Sequence, residues 1–167
     1  GESFYVGKND FCGEVIALAE QKGVGETSDG AFVIFVDRSE DKDGKLKTPP
    51  LMLLKNDGAT SYHARDLASA VYRQRKFGFS EAVYVVGGEQ TLHFRQLFKA
   101  LELLGYDWAK GCTHVDFGLL LFKQPDGKWA KASTRAGRTI MLEHLLDESV
   151  DAVRGIIKEK NEDLAND

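Results

Sequence analysis

The chain reads as an α/β domain on a mainly parallel sheet, with an antiparallel strand pair near the N-terminus, and three observations predict this. Short β-branched and aromatic runs alternate with longer stretches of helical periodicity, the order expected when helices pack on a sheet. The run Ala82-Val83-Tyr84-Val85-Val86 has no polar alternation, the pattern of a strand covered on both faces of a parallel sheet. A length of 167 residues is enough for one domain with a real core.

Taken in order, residues 10–22 carry Phe11, Val15, Ile16, Leu18 and Ala19 at helical spacing, and Gly23 stops the helix. Residues 31–36 and 51–54 are apolar runs that predict two strands, joined by a long, charged, solvated connection whose tip is expected to move. Residues 62–76 predict a helix with Leu67, Ala68 and Val71 inward. Residues 91–104 predict the clearest helix, with Phe94, Leu97, Phe98, Leu101 and Leu104 on one face and Gly105 at its end. Residues 113–122 predict another strand, residues 124–127 a turn, and residues 131–138 a polar loop. Residues 142–160 predict a long amphipathic helix, and residues 161–167, without an apolar stripe, a frayed tail.

Composition sets limits on function. The net charge of −4, from 22 basic and 26 acidic residues, is not that of a domain whose main work is to hold phosphate backbones. The cluster Arg73, Arg75 and Lys76 reads as a solvated helix face. No run approaches the roughly 18 apolar residues of a membrane span, and the first residues have no signal-peptide pattern. Cys12 and Cys112 have neither metal-ligand nor disulfide spacing, which points to core thiols in a reducing cytosol.

Two strand-to-helix turns carry the chemistry: residues 51–68, and residues 84–93 with their Gly87-Gly88 pair. Such turns lie at the carboxyl ends of strands, where open α/β sheets bind ligands. Tyr62 and Asp66 are four apart and share a helix face, both expected in the first turn. An acidic residue there has a plain explanation in the helix dipole. The chemical alternative is an acceptor pair for a planar cation, because a guanidinium presents several N–H donors in a fixed fork. His93 reads as a capping or packing residue near Gln90, and His63 and His144 as exposed. The loop Ser133-Thr134-Arg135-Ala136-Gly137 has the hydroxyls and the cation to close over phosphates, and is equally the composition of an ordinary surface loop.

At these residues the chain resembles the arginyl-tRNA synthetases, class I aminoacyl-tRNA synthetases with a Rossmann-type catalytic domain. The resemblance is collinear: Gly1-Glu2-Ser3, Leu54-Lys55-Asn56-Asp57-Gly58, Tyr62-x-x-Arg65-Asp66-x-Ala68, Tyr84-Val85-Val86 to Gln90-x-Leu92-His93, Leu104-Gly105-Tyr106, His114-Val115-x-Phe117-Gly118, the 133–137 loop, and Leu145-Leu146-Asp147-Glu148. It implies that Glu2, Tyr62 and Asp66 hold the substrate guanidinium and that Gln90 helps bind the amino-acid end. It also implies that His93, Phe117 and Gly118 lie at the ATP site, and that Ser133, Thr134, Arg135 and Gly137 act on the triphosphate. The implied substrates are L-arginine, ATP with Mg2+, and tRNA(Arg), in a bacterial-type cytoplasmic enzyme without a membrane partner.

Two departures qualify this. Ala136 stands where many relatives have lysine, and the His-x-Gly-His signature is absent around His63, His93, His114 and His144. The expectation is therefore a fragment: residues 1–160 as the second half of a catalytic domain, inactive alone and prone to self-association through apolar surface. The competing readings are a non-catalytic arginine- or nucleotide-binding module and a class I synthetase for another amino acid. The acceptor charge of Glu2 and Asp66 argues against the latter.

Overall fold

A computed structural model describes residues 10–123, 127–131 and 141–160, in two compact units that divide after Gly118. The first described element is helix α1 (Phe11–Gln21), whose N-terminus is closed by the Asp10 carboxylate accepting from the Gly13 amide at 2.8 Å. Strands β1 (Gly25–Ser28), β2 (Ala31–Ile34) and β3 (Leu51–Leu54) form an antiparallel sheet in that order. The antiparallel pairing near the N-terminus thus involves three strands, with β1 an addition to the two expected. The β1–β2 turn is Asp29-Gly30, both with positive φ (50° and 80°), the geometry a two-residue hairpin requires. The connection from β2 to β3 is solvated, as expected, and is ordered locally by Asp41, whose side chain accepts from the amides of Asp43 and Lys45.

Helix α2 (Tyr62–Phe77) follows β3 and ends at Gly78, left-handed at φ 59°. Its buried side includes Ala64, Leu67, Ala68 and Val71, and of these Ala64, Leu67 and Val71 share one core with Val15 and Ala19 of α1, Ile34 of β2 and Leu51 and Leu53 of β3. Strand β4 (Ala82–Gly87) leads through a 3₁₀ turn (Gly88–Gln90) into α3 (Thr91–Leu103), which adds Phe94, Leu97 and Leu101 to that core. A second 3₁₀ turn (Asp107–Gly111) delivers strand β5 (Cys112–Phe117), which runs parallel to β4 in the register Ala82↔Cys112 to Gly87↔Phe117.

The expectation that 82–86 is covered on both faces fails. Tyr84 and Val86 turn inward, but Val83 and Val85 are 59% and 64% exposed. Among the described residues of this unit, no helix covers that face of the two-stranded sheet. The strand expected over 113–122 also divides, because β5 ends where its pairing with β4 ends, at Gly87↔Phe117.

The second unit contains a hairpin of β6 (Leu121–Lys123) and β7 (Trp129–Lys131), and helix α4 (Leu142–Lys160) at the expected bounds. The apolar stripe of α4, including Leu142, Leu146, Val150 and Val153, is exposed. The tail 161–167 and most of the expected turn at 124–127 lie outside the described residues.

Candidate functional site

The site is built on the first turns of α2 and α3. The Ser61 hydroxyl caps α2, accepting from the Ala64 amide at 3.3 Å and donating to the Met52 carbonyl at 2.5 Å. One side chain therefore closes the helix and ties its start to β3. Asp66 lies one turn beyond Tyr62, outside the first turn, which contains no acidic residue. The expectation that both sit in the first turn is corrected, and the plain explanation for Asp66 weakens with it. The dipole acts on charges near the helix end, and Ser61 already performs the capping. Tyr62 and Asp66 remain accessible, 51% and 48% exposed.

His93 comes from the first turn of α3 and meets this pair. Its Nε2–H donates to Asp66 Oδ2 at 2.8 Å, and the imidazole itself is only 7% exposed. Its ring centroid lies 5.1 Å from that of Tyr62, 5.2 Å from His63 and 5.2 Å from Phe94. Phe94 stacks on His114 at 4.5 Å, and His114 Nε2–H donates to the Val86 carbonyl at 2.8 Å. His93 caps nothing, since α3 has no side-chain cap, so the capping reading is set aside and packing is retained.

His63 departs from expectation. It is half-buried rather than exposed, and its Nδ1 has no hydrogen-bond partner. Burial, helped by His93 beside it, lowers its pKa to about 4, against a smaller opposing pull from Asp66 and a hydrogen bond to Met52. No spacing signal in the sequence marks His63. Its burial follows from the Tyr62 ring lying 3.8 Å away and from the α3 rings across from it. His144 is exposed, as expected.

The other predicted residues distribute as follows. Gln90 is exposed at the end of the 3₁₀ turn, three residues before His93. Phe117 is exposed at the end of β5 opposite Gly87, where an added Cβ would touch its ring at 3.7 Å. Gly118 follows it with open space around its Cα. The Gly87-Gly88 turn and Phe117-Gly118 thus share the carboxyl edge of the parallel pair, the edge at which such sheets hold ligands. Glu2, Ser133, Thr134, Arg135 and Gly137 lie outside the described residues. Among the described residues, no group of three or more His, Cys, Asp or Glu is arranged to hold a metal ion. No described helix is long and apolar enough to cross a membrane.

Comparison with known proteins converges on one family. The family described as tRNA synthetases class I (R), catalytic domain, matches residues 1–167. An arginine–tRNA ligase from Exiguobacterium is 45% identical over 166 residues, covering 99% of this chain and 27% of the relative. That of Clostridium perfringens is 43% identical over the same length, again 27% of its own chain. Among solved structures, Thermus thermophilus arginyl-tRNA synthetase superposes with a TM-score of 0.60 at 20% identity, covering 92% of this chain and 30% of that one. The Plasmodium falciparum enzyme gives 0.58 at 21% identity, with 97% and 24% covered. At these identities the structural matches speak for the α/β fold, whereas the sequence matches carry the family. The chain spans about 27% of the length of the curated relatives it matches.

Proposed function

Because this chain belongs to the class I arginyl-tRNA synthetase catalytic-domain family, we propose that it supplies the arginine-recognising part of an arginine–tRNA ligase. The reaction is attack of the arginine carboxylate on the α-phosphate of ATP, with release of pyrophosphate, followed by transfer of the arginyl group to tRNA(Arg). Magnesium enters with the nucleotide as part of the substrate.

The observation that carries the reading is the Tyr62–Asp66 pair. A carboxylate and a phenol sit one turn apart on α2, both half-exposed, with the capping role filled by Ser61. Asp66 accepts from the guanidinium fork and Tyr62 covers its edge, with Glu2 as the second carboxylate and Gln90 at the amino-acid end. Phe117-Gly118 borders the nucleotide, and Ser133, Thr134, Arg135 and Gly137 steady the triphosphate. A neutral analogue would leave the carboxylates short of a partner, which is how such a site discriminates. The buried free thiols of Cys12 and Cys112 support a reducing, cytoplasmic setting. Residues 1–160 act as one stretch of catalytic domain, with 161–167 as its trailing segment.

Calorimetric titration with L-arginine, and with citrulline as the neutral control, tests this in the complete gene product that contains the chain. Asp66→Ala is expected to weaken arginine binding by about 10- to 150-fold, the range for a hydrogen bond to a charged group, and citrulline binding much less. An arginine affinity unchanged by Asp66→Ala would remove the recognition role.

A further inference from the structure

We propose that His93 is a positioning residue for arginine specificity, fixing the Asp66 carboxylate from behind so that its second oxygen faces the guanidinium. The inference rests on the reading of Tyr62 and Asp66 as the guanidinium site, and it assigns His93 to arginine rather than to the nucleotide.

Three observations carry it. First, the hydrogen bond is one-sided: His93 engages Oδ2 of Asp66 at 2.8 Å. A half-exposed carboxylate is otherwise free to rotate about its last torsion, and accepting from a guanidinium in a fixed direction requires that torsion to be set. Second, the donor is closely packed. The imidazole lies among Tyr62, His63 and Phe94, with ring centroids within 5.2 Å. Phe94 rests in turn on His114, which is anchored to the β4 backbone through the Val86 carbonyl. Rigid backbone thus reaches Asp66 through packed rings, the support a precise polar site needs. Third, the other nitrogen of His93, Nδ1, is buried without a hydrogen-bond partner. A histidine placed only to pack would incur that desolvation cost without return, and an apolar ring would fill the space as well. The cost is offset if the Nε2–H is what the position requires.

The test uses arginine, citrulline and ATP affinities of the complete gene product. His93→Met removes the donor at similar bulk, and His93→Gln returns an N–H of comparable reach. We expect His93→Met to weaken arginine binding about tenfold, to narrow the arginine-over-citrulline ratio by the same factor, and to leave ATP affinity unchanged. His93→Gln should recover at least half of that loss on a logarithmic scale. In an Asp66→Ala background, His93→Met should have no further effect on arginine, because the group it positions is gone.

A loss of ATP affinity with arginine affinity intact would overturn the inference and return His93 to the nucleotide. Equal loss for arginine and citrulline, or additivity with Asp66→Ala, would reduce His93 to packing. If Asp66→Ala alone has no effect, the guanidinium site itself fails and takes the His93 role with it, a result distinguishable from failure at His93 alone. Should His93→Met not fold, the unsubstituted protein still decides: the His93 Nε2–H proton resonance should shift on adding arginine and not on adding citrulline. A resonance indifferent to arginine would overturn the proposal.

Discussion

At the scale of the residue, the same side-chain type does different work according to burial. His93 and His63 lie 5.2 Å apart, ring centre to ring centre, and each has a buried, unpartnered Nδ1, yet His93 is hydrogen-bonded to a carboxylate and His63 to the Met52 backbone. The cost of desolvating a charge holds the His63 pKa at about 4, below its ordinary 6.5. The sign follows directly. As pH falls below 6.5 the unfolded chain takes up a proton on His63 before the folded chain does. The stabilisation is therefore complete above that value and is lost progressively down to about pH 4. The full shift corresponds to roughly 3 kcal/mol, and solvent screening of a half-buried ring reduces it to about 1–2 kcal/mol. Urea unfolding at about pH 7 and about pH 4.5 should therefore show a smaller acid-induced loss, by about 1–2 kcal/mol, in His63→Phe than in the unsubstituted protein. Identical losses in the two would mean that the His63 ring is solvated.

At the scale of the element, Ser61 joins the site to the antiparallel sheet. Ser61 both caps α2 and bonds to β3, so Ser61→Ala should destabilise by about 1–2 kcal/mol in chemical denaturation, at the upper end for a lost cap. Gly111 lies where the turn before β5 crosses the segment before β4, and a Cβ there would collide with the Ser80 carbonyl oxygen. Backbone cannot yield as a flexible side chain does, so Gly111→Ala is expected to lower the melting temperature, with a destabilisation of about 1–3 kcal/mol. Gly155, within α4, has open space around it, and Gly155→Ala should instead favour the helix by about 0.5–1 kcal/mol. If both alanines behave alike, the close packing at Gly111 is not what distinguishes them. Strand β1 shows what is hard to read at this scale. Gly-Glu-Thr-Ser has no apolar alternation, and only the Asp29-Gly30 turn and the pairing with β2 make it a strand.

At the scale of the whole molecule, each unit carries exposed apolar side chains among its described residues. Val83, Val85, Val115 and Phe117 are exposed on the first unit. In the second, Leu142, Leu146, Val150, Val153 and Ile157 run as a stripe along α4, each exposed. Contiguous apolar surface of this kind drives association. The chain on its own should therefore show a mass in light scattering that rises with concentration, and Val85→Lys should reduce that rise without lowering the melting temperature. A constant monomer mass for the unsubstituted chain would show that these faces do not associate.

Much of this was legible in the residues themselves. Helical periodicity, glycine stops and apolar runs determined the helices α1, α2, α3 and α4 to within a residue or two, because those signals are local. Collinear motifs determined the family, and spacing put Tyr62 and Asp66 on one helix face. Tertiary structure alone decided the rest. An uninterrupted apolar strand records what could be buried, and only the packing of layers shows that Val83 and Val85 are left in the open. Likewise, no spacing links Asp66 to His93, 27 residues away. Their hydrogen bond exists because the folds of β3 into α2 and β4 into α3 bring two helix starts to the same place, and sequence distance does not encode that meeting.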